Sequence, residues 1–463
     1  MSHFYISAAN KSSGKTTLSI GLCAALTNNG HIVQSFKKGP DYIDPIWLSQ
    51  ASGRPCHNLD FNTQNHNEIL YTFNHYSQGA DVCLIEGNKG LYDGMDLYGS
   101  DSNAAMAKLL EAPVVLVLDT RGTIRGVAPL LLGYQAFDSE LNIAGVILNQ
   151  VGGSRHEAKL QAVLREYTNI PVLGAVHRNP LMNIDERHLG LMPGNEDQHS
   201  STKVAELGRL VGEQVDLQAI LNVASTAPKL QPQNPPPLQI RSGEPVRIAV
   251  PRDASFGFYY PGDLEAMQQA GAELVELDTL HDTQLPEIDG LFIGGGFPET
   301  QMQQLEANTG LRAAIHAAIE AGLPTYAECG GLMYLSQAII WQGERREMVG
   351  IIPADAQMCE RPQGRGYIHL RPTDQHPWPH AQNKSISAHE FHYSRLEGLP
   401  SGFEYAYSVE RGTGIDGKND GLRYKNLLAC YAHMRNTEAH TWALNFVEFV
   451  RQCKRDAVHS ATL

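Results

Sequence analysis

No stretch of the chain approaches the roughly 20 consecutive apolar residues that a helix needs to cross a bilayer, so no membrane-spanning segment is expected. The opening residues, MSHFYISAANKSSGKTT, lack a basic stretch followed by an apolar one, and a secretory leader is not expected either. Positive charge is in deficit: 36 Lys and Arg stand against 50 Asp and Glu, a formal net charge of −14. A chain of that sign is a poor non-specific binder of nucleic acid or of an anionic membrane, so neither is expected as a partner. Cysteine occurs seven times but never as a CxxC pair. That pattern speaks against a disulfide framework and against a thiolate zinc site, and any cysteine that matters does so alone. A cytoplasmic protein is expected.

At roughly 100–200 residues per domain, 463 residues imply two or three domains. With 42% hydrophobic and 19% charged residues, a sizeable core is available and global disorder is excluded. The sharpest break is Ser225–Pro245, STAPKLQPQNPPPLQIRSGEP, where six of 21 residues are proline. Proline lacks the N–H that helices and ladders use and stiffens the backbone, so this stretch reads as an interdomain linker. It separates an expected domain at 1–224 from one at 246–455.

Before the linker, continuous apolar runs at 4–9, 32–37, 82–87, 113–119, 143–150 and 171–176 alternate with helical stretches, of which Thr17–Asn28 reads as amphipathic. That alternation predicts an α/β domain with a doubly wound parallel sheet covered on both faces. After the linker the pattern restarts at 246–251, 272–277, 290–296 and 323–329, and the region 350–432 looks antiparallel or mixed.

The first strand leads into Ala9-Asn-Lys-Ser-Ser-Gly14-Lys15-Thr16-Thr17 and then a helix, a Walker A loop with alanine in place of its first glycine. Successive backbone N–H groups and the helix N-terminus cradle phosphate oxygens in such a loop. Gly14, Lys15, Thr16 and Thr17 are thus candidate nucleotide-binding residues for ATP. Lys15 would neutralise the terminal phosphates and Thr16 would ligate Mg²⁺. Two further strand ends, FKKGPDYIDP (36–45) and LIEGNKGLYDG (84–94), fall on the same sheet edge, where open α/β sheets bind ligands. Asp41 and Glu86 are candidates to complete the oxygen shell of the metal with Thr16. Lys37, Tyr42, Asp44, Lys89 and Asp93 are candidates to hold substrate or the transferred phosphoryl group. Asn149, ending GVILN, is a candidate partner for a purine edge.

In the second half, Leu323–Cys329 reads as a strand and Gly330-Gly331-Leu332-Met333 as the start of a helix. A cysteine on a sharp strand-to-helix turn between small residues is a nucleophile elbow, and a helix N-terminus favours its thiolate. Gly295 and Gly296 of IGGGFPE, with Gly330, are candidates for an oxyanion hole. A cysteine nucleophile needs a base, and the candidates are His389, His392 and His433. His433, which follows the expected strand Leu427–Tyr431, is best placed to reach Cys329.

AECGGLMYL, IGGGFPE and CYAH resemble a class I glutamine amidotransferase domain, whose thiolate forms a glutamyl thioester and releases ammonia. Such domains often carry a glutamate two residues after the histidine. Here that position is Arg435, so the third member is absent or comes from elsewhere. The first half resembles dethiobiotin synthetase-like P-loop ligases. Together FKKGPDYIDP, IEGNKGLYDG, FGFYYP, AECGGLMYL and HEFHYS closely resemble the cobyrinic acid a,c-diamide synthase family, in the right order over nearly the whole chain.

The resemblance implies ATP, glutamine and an anionic cyclic tetrapyrrole as partners, Mg²⁺ with the ATP, and a homodimer as one expectation for assembly. It implies ATP-driven conversion of a peripheral carboxylate to a carboxamide. One departure points to a different macrocycle. The family's run after IEG is apolar, whereas Asn88-Lys89-Gly90-Leu91 stands here. DLYGSDSNAAMAKLL (96–110) and GGSRHEAKL (152–160) look similar to the siroheme amidase branch. Two other readings compete. One is a P-loop nucleotide switch with a non-catalytic amidotransferase-like domain, and the other is an amidating ligase for a non-tetrapyrrole acid. Because the substrate is expected to be a polyanion, Lys37, Lys38 and Lys89 are expected to line a basic mouth in this acidic chain.

Overall fold

The computed structural model describes residues 1–463 other than 185, 188, 189, 197, 198, 232–242, 379–383, 462 and 463. The chain divides into two compact units, Met1–Pro236 and Pro237–Leu463. Eleven residues of the expected linker, 232–242, lie outside the described residues.

The first unit is built on β1 (Ser2–Ala8), β2 (Val33–Lys38), β3 (His57–Leu59), β4 (Val82–Glu86), β5 (Val114–Asp119), β6 (Ile143–Val151) and β7 (Val172–His177). They form one sheet in the order β3-β2-β4-β1-β5-β6-β7, and every neighbouring pair is parallel. Parallel pairing needs crossover helices, which cover both faces and require strands apolar on both sides. β2 and β4 are accordingly buried along their whole length. One face packs in a core that includes Leu18, Leu22, Trp47 and Leu207, the other in a core that includes Phe36, Phe73, Leu118 and Leu160. β3, three residues long, escapes the sequence pattern because it is too short to show a period.

The first helix, α1 (Lys15–Asn28), differs from expectation. It is not amphipathic: every residue from Leu18 to Leu26 is buried. The cause is a second layer, the helix Ser200–Gly212, laid against its outer side. Gly21, which faces Leu207 and Val211, and Gly208, which faces Ala24, let the two helices approach closely.

The second unit carries a nine-stranded mixed sheet. In spatial order its strands are Ala272–Leu277, Val246–Pro251, Gly290–Ile293, Thr325–Glu328, Leu427–Cys430, Asn419–Tyr424, Glu404–Arg411, Gly364–Pro372 and Ile386–His392. The first five are mutually parallel and the rest antiparallel, the mixed character expected for 350–432. The run expected as one strand over 290–296 breaks at Ile293. Gly295–Gly296 instead pairs antiparallel with Phe256–Phe258, leaving the parent sheet. Three consecutive glycines supply that freedom. Among the described residues, no helix is long and apolar enough to cross a membrane.

Candidate active sites

In the first unit the loop from β1 to α1 turns through Gly14 at φ 81°, where a β-carbon would lie 2.2 Å from the Asn149 side-chain nitrogen. That proximity is functional for the loop: the Asn149 amide donates to the Ser13 carbonyl at 2.8 Å. Asn149, expected at a purine edge, thus braces the phosphate loop from β6. Ala9 is not among the residues with positive φ, so the alanine in the first Walker position is unstrained. Lys15 is buried, and burial followed by the neighbouring Lys37 ammonium lowers its pKa. Among the described residues Lys15 forms no ion pair, which suits a side chain that meets an anion.

Thr16, in the first turn of α1, has its hydroxyl 2.8 Å from Glu86 Oε1 and 3.2 Å from Asp44 Oδ2, to which it donates. Lys37, fully interior on β2, donates to Asp44 Oδ2 at 2.5 Å and to Glu86 Oε1 at 2.9 Å, with Asp41 Oδ2 at 3.8 Å. Burial alone would drive Lys37 neutral. The carboxylates of Asp44, Glu86 and Asp41 outweigh it and hold its pKa well above the ordinary value. The counterpart is seen at Asp44, where burial is outweighed by Lys37 and the pKa falls. Asp41 is different. Its Oδ1 accepts from the N–H groups of Ile43 and Asp44, an Asx turn that opens the helix α2 (Ile43–Ser52). Burial and the Asp44 charge raise its pKa to about 7. Of the expected oxygen set, the structure brings Thr16 and Glu86 together with Asp44, while Asp41 turns to the helix start. Glu86 Oε2 is buried with no hydrogen-bond partner among the described residues.

Tyr42 is buried beside this cluster, and Thr17 follows Thr16 half-buried on α1. Lys38 donates to the Asp101 carbonyl at 2.5 Å, tying β2 to the loop after β4. In that loop Lys89 is exposed at φ 40°, and Asp93 accepts from the Gly90 N–H at 3.0 Å. Asn103 fixes the loop by donating to the carbonyls of Asn88 and Gly90 while accepting from Tyr5 and from the Asn88 N–H.

In the second unit Cys329 has φ 47° and ψ −100°, a conformation rare for any L-residue and costing about 1–3 kcal/mol. Two backbone bonds hold it: its N–H donates to the Cys430 carbonyl at 2.7 Å, and its carbonyl accepts from Met333 at 3.1 Å. The side chain is 7% exposed. Of the three candidate bases, the structure places His433 at the thiol. Burial works against its charge, but the neighbouring Cys329 and Glu328 outweigh it and raise its pKa to about 10. His389 instead pairs its backbone with that of His433, and burial with the nearby His433 lowers its own pKa to about 3. His392 stacks on Tyr431 at 3.9 Å, and its Nδ1 lies 2.8 Å from the Ser394 carbonyl.

The glycine segment lies directly against this pair. A β-carbon on Gly295 would sit 2.4 Å from His433 Cε1, and one on Gly330 would sit 2.8 Å from the Gly296 carbonyl oxygen. Tyr259, from FGFYYP, steadies the segment: its hydroxyl accepts from Gly294 N–H at 3.0 Å and donates to the Pro251 carbonyl at 2.6 Å. In HEFHYS, Glu390 accepts from the N–H groups of Thr413 and Gly414, and His389 pairs its backbone with His433.

These two sites fall inside the segments matched by two family models. One, described as a CobQ/CobB/MinD/ParA nucleotide binding domain, covers residues 6–191. The other, a CobB/CobQ-like glutamine amidotransferase domain, covers 247–440. The cobyrinate a,c-diamide synthase of Magnetococcus marinus is 47% identical over 453 residues, 97% of each chain. Those of Methanosarcina acetivorans, 39% identical over 96% of this chain and 94% of its own, and of Archaeoglobus fulgidus, 40% identical over 96% of each, are similar along their length. The chain belongs to the cobyrinate a,c-diamide synthase family.

For a member of this family, the site residue that sequence reasoning missed is Glu328. It stands in the quoted AECGG motif, but a strand residue next to the nucleophile is expected to face the other way. Two expectations follow from the geometry. Gly295→Ala should displace the His433 ring and lower glutamine hydrolysis by about 10²-fold or more while ammonia-supported amidation survives, measured by paired assays. Because the His433 pKa lies above its ordinary 6.5, its charge stabilises the fold fully below that pH and the contribution is lost as pH rises towards about 10. Thermal unfolding between these limits should therefore fall more steeply for the natural protein than for His433→Asn.

Proposed function

We propose that the chain amidates peripheral carboxylates of an anionic cyclic tetrapyrrole of the cobyrinate type, using ATP and glutamine. The observation that carries this reading is the pairing, on one chain, of a strained Cys329 held by His433 with a P-loop whose Thr16 meets Glu86. The first suits release of ammonia and the second suits phosphoryl transfer.

In the second unit, the Cys329 thiolate attacks the side-chain carboxamide of glutamine. His433 delivers a proton to the departing nitrogen, and ammonia leaves with a glutamyl thioester on sulfur. Backbone N–H groups around Gly295, Gly296 and Gly330 receive the oxyanion, and water then frees glutamate. In the first unit, a substrate carboxylate takes the terminal phosphoryl group of ATP. Ammonia displaces phosphate from that acyl phosphate and leaves the carboxamide. A free carboxylate is a poor electrophile and phosphate a good leaving group, hence the need for ATP.

Lys15 and the loop N–H groups bind the phosphates. Thr16 Oγ1 and the unpartnered Glu86 Oε2, with Asp44 beside them, are hard oxygen donors that fit a magnesium ion entering with ATP. Such an ion would neutralise phosphate charge there. Lys37 holds the carboxylates in place, and Lys38 and Lys89 border the loop that would meet the macrocycle. The polar Asn88–Lys89 turn, pinned by Asn103, favours a second reading in which sirohaem replaces the corrin acid.

Cys329→Ser should abolish glutamine-supported amidation and retain activity with high ammonia, whereas retained glutamine use would overturn the assignment. The natural protein given cobyrinate, sirohaem or metal-free sirohaem with ATP, Mg²⁺ and glutamine should amidate one of them. Mass spectrometry would count the carboxylates exchanged, and no amidation of any macrocycle would overturn the substrate class.

A further inference from the structure

His433 has no acidic residue two positions downstream. Arg435 stands there, its guanidinium 5.1 Å over the Tyr260 ring and its charge acting on Asp263. Glu328 supplies what that position does not. Its carboxylate is buried, with Oε2 3.5 Å from His433 Nδ1. Oε1 accepts from the Tyr326 hydroxyl at 2.7 Å and from the Met434 N–H, also at 2.7 Å. Since Met434 directly follows His433, one carboxylate fixes both the ring and the backbone that carries it.

The elbow explains how neighbours in sequence reach opposite sides of one imidazole. Glu328 ends its strand level with Cys430. In a regular strand, residues 328 and 329 would point to opposite faces of the sheet. The positive φ of Cys329 turns the chain sharply, so the thiol comes round to the same ring that Glu328 meets through Nδ1. Nδ1 facing the carboxylate leaves Nε2 for sulfur.

We propose that Glu328, the residue immediately before the nucleophile, is the acidic positioning residue of the glutaminase site, completing a Cys329–His433–Glu328 relay. This rests on the reading that Cys329 and His433 hydrolyse glutamine. The carboxylate holds the imidazole in the orientation that presents Nε2 to the thiol. It also favours the imidazolium that accompanies the thiolate. A further titratable group facing His433 is His389, with ring centroids 6.5 Å apart and its charged form disfavoured by burial. Around Glu328 itself lie Asp263, Tyr259, Tyr326, Tyr407 and Cys430, all with the neutral form favoured by burial. Among the described residues, Glu328 is the carboxylate that pairs with the His433 ring.

The test compares E328Q, E328D and Y326F in the full-length protein. Three measurements are made: glutamine hydrolysis, ammonia-supported amidation, and the rate at which iodoacetamide labels Cys329 as a function of pH. E328Q should lower kcat for glutamine hydrolysis by at least about 10²-fold with KM changed little, and slow labelling near neutral pH. Ammonia-supported amidation should be unchanged. E328D, which keeps the charge, should recover part of the loss. Y326F removes one donor to the same carboxylate but leaves the carboxylate and its charge, and should stay within about 10-fold of the natural rate. E328Q with natural glutaminase and labelling rates would overturn the proposal. So would Y326F and E328D falling as far as E328Q, which marks a structural clamp only. If E328Q does not fold, shown by loss of cooperative unfolding, E328D and Y326F decide on the same criteria. Absence of glutaminase in the natural protein would instead overturn the reading on which the proposal rests.

Discussion

A sheet covered on both faces offers almost nowhere to keep a charge. Removing an ion from water costs several kcal/mol unless opposite charge and hydrogen bonds meet it. In the first unit this constraint confines ionic side chains to the carboxyl ends of the strands. Lys37 near the end of β2, Asp44 on α2 and Glu86 at the end of β4 converge there. Each satisfies another, and Thr16 reaches the same oxygens. Thr16 after the phosphate loop, Asp44 of α2 and Glu86 at the end of β4 all meet Lys37 or its partners in that one buried ion cluster. Losing Lys37 would leave two carboxylates facing each other in the interior, so its role is felt throughout the edge.

The same constraint shapes the second unit with different chemistry. Glu328 ends a central parallel strand and Cys329 follows it at the turn, while His433 follows the neighbouring strand. The backbone strain at Cys329 is sustained because Cys430, Met333 and the glycine segment fix the chain on every side. Both halves therefore place reactive groups where apolar strands end, the crevice in which open α/β sheets bind ligands. Glutamine hydrolysis in one half and carboxylate activation in the other need each other: ammonia without an activated acid is lost to water, and an acyl phosphate without ammonia hydrolyses.

How much of this was legible beforehand follows from physical range. The Walker loop and the cysteine elbow are contiguous, and a strand, a turn chemistry and a helix announce them in order. The parallel strands were visible because they are apolar on both sides. The burial of α1 was not, since its cause is a helix more than 150 residues later, and the local pattern could not distinguish one covered face from two. Asp41 and Asp44 lie three residues apart in DYIDP. Only the Asx turn made by Asp41 decides which carboxylate opens the helix and which meets Thr16. Glu328 was hidden by the alternation rule itself, which holds for a strand and fails at the elbow. His433 was legible because it follows a strand beside the cysteine elbow, while its contacts with Cys329 and Glu328 appear only in the fold.

The proposed acyl-phosphate route removes one carboxylate oxygen as phosphate after activation by ATP. A substrate macrocycle carrying heavy-oxygen label in its peripheral carboxylates tests this most directly. With ATP, Mg²⁺ and glutamine, one labelled oxygen should appear in inorganic phosphate for each carboxamide formed, with ADP as the nucleotide product. The second labelled oxygen stays in the carboxamide; unlabelled phosphate, with the displaced oxygen found in water or in AMP, would contradict the account.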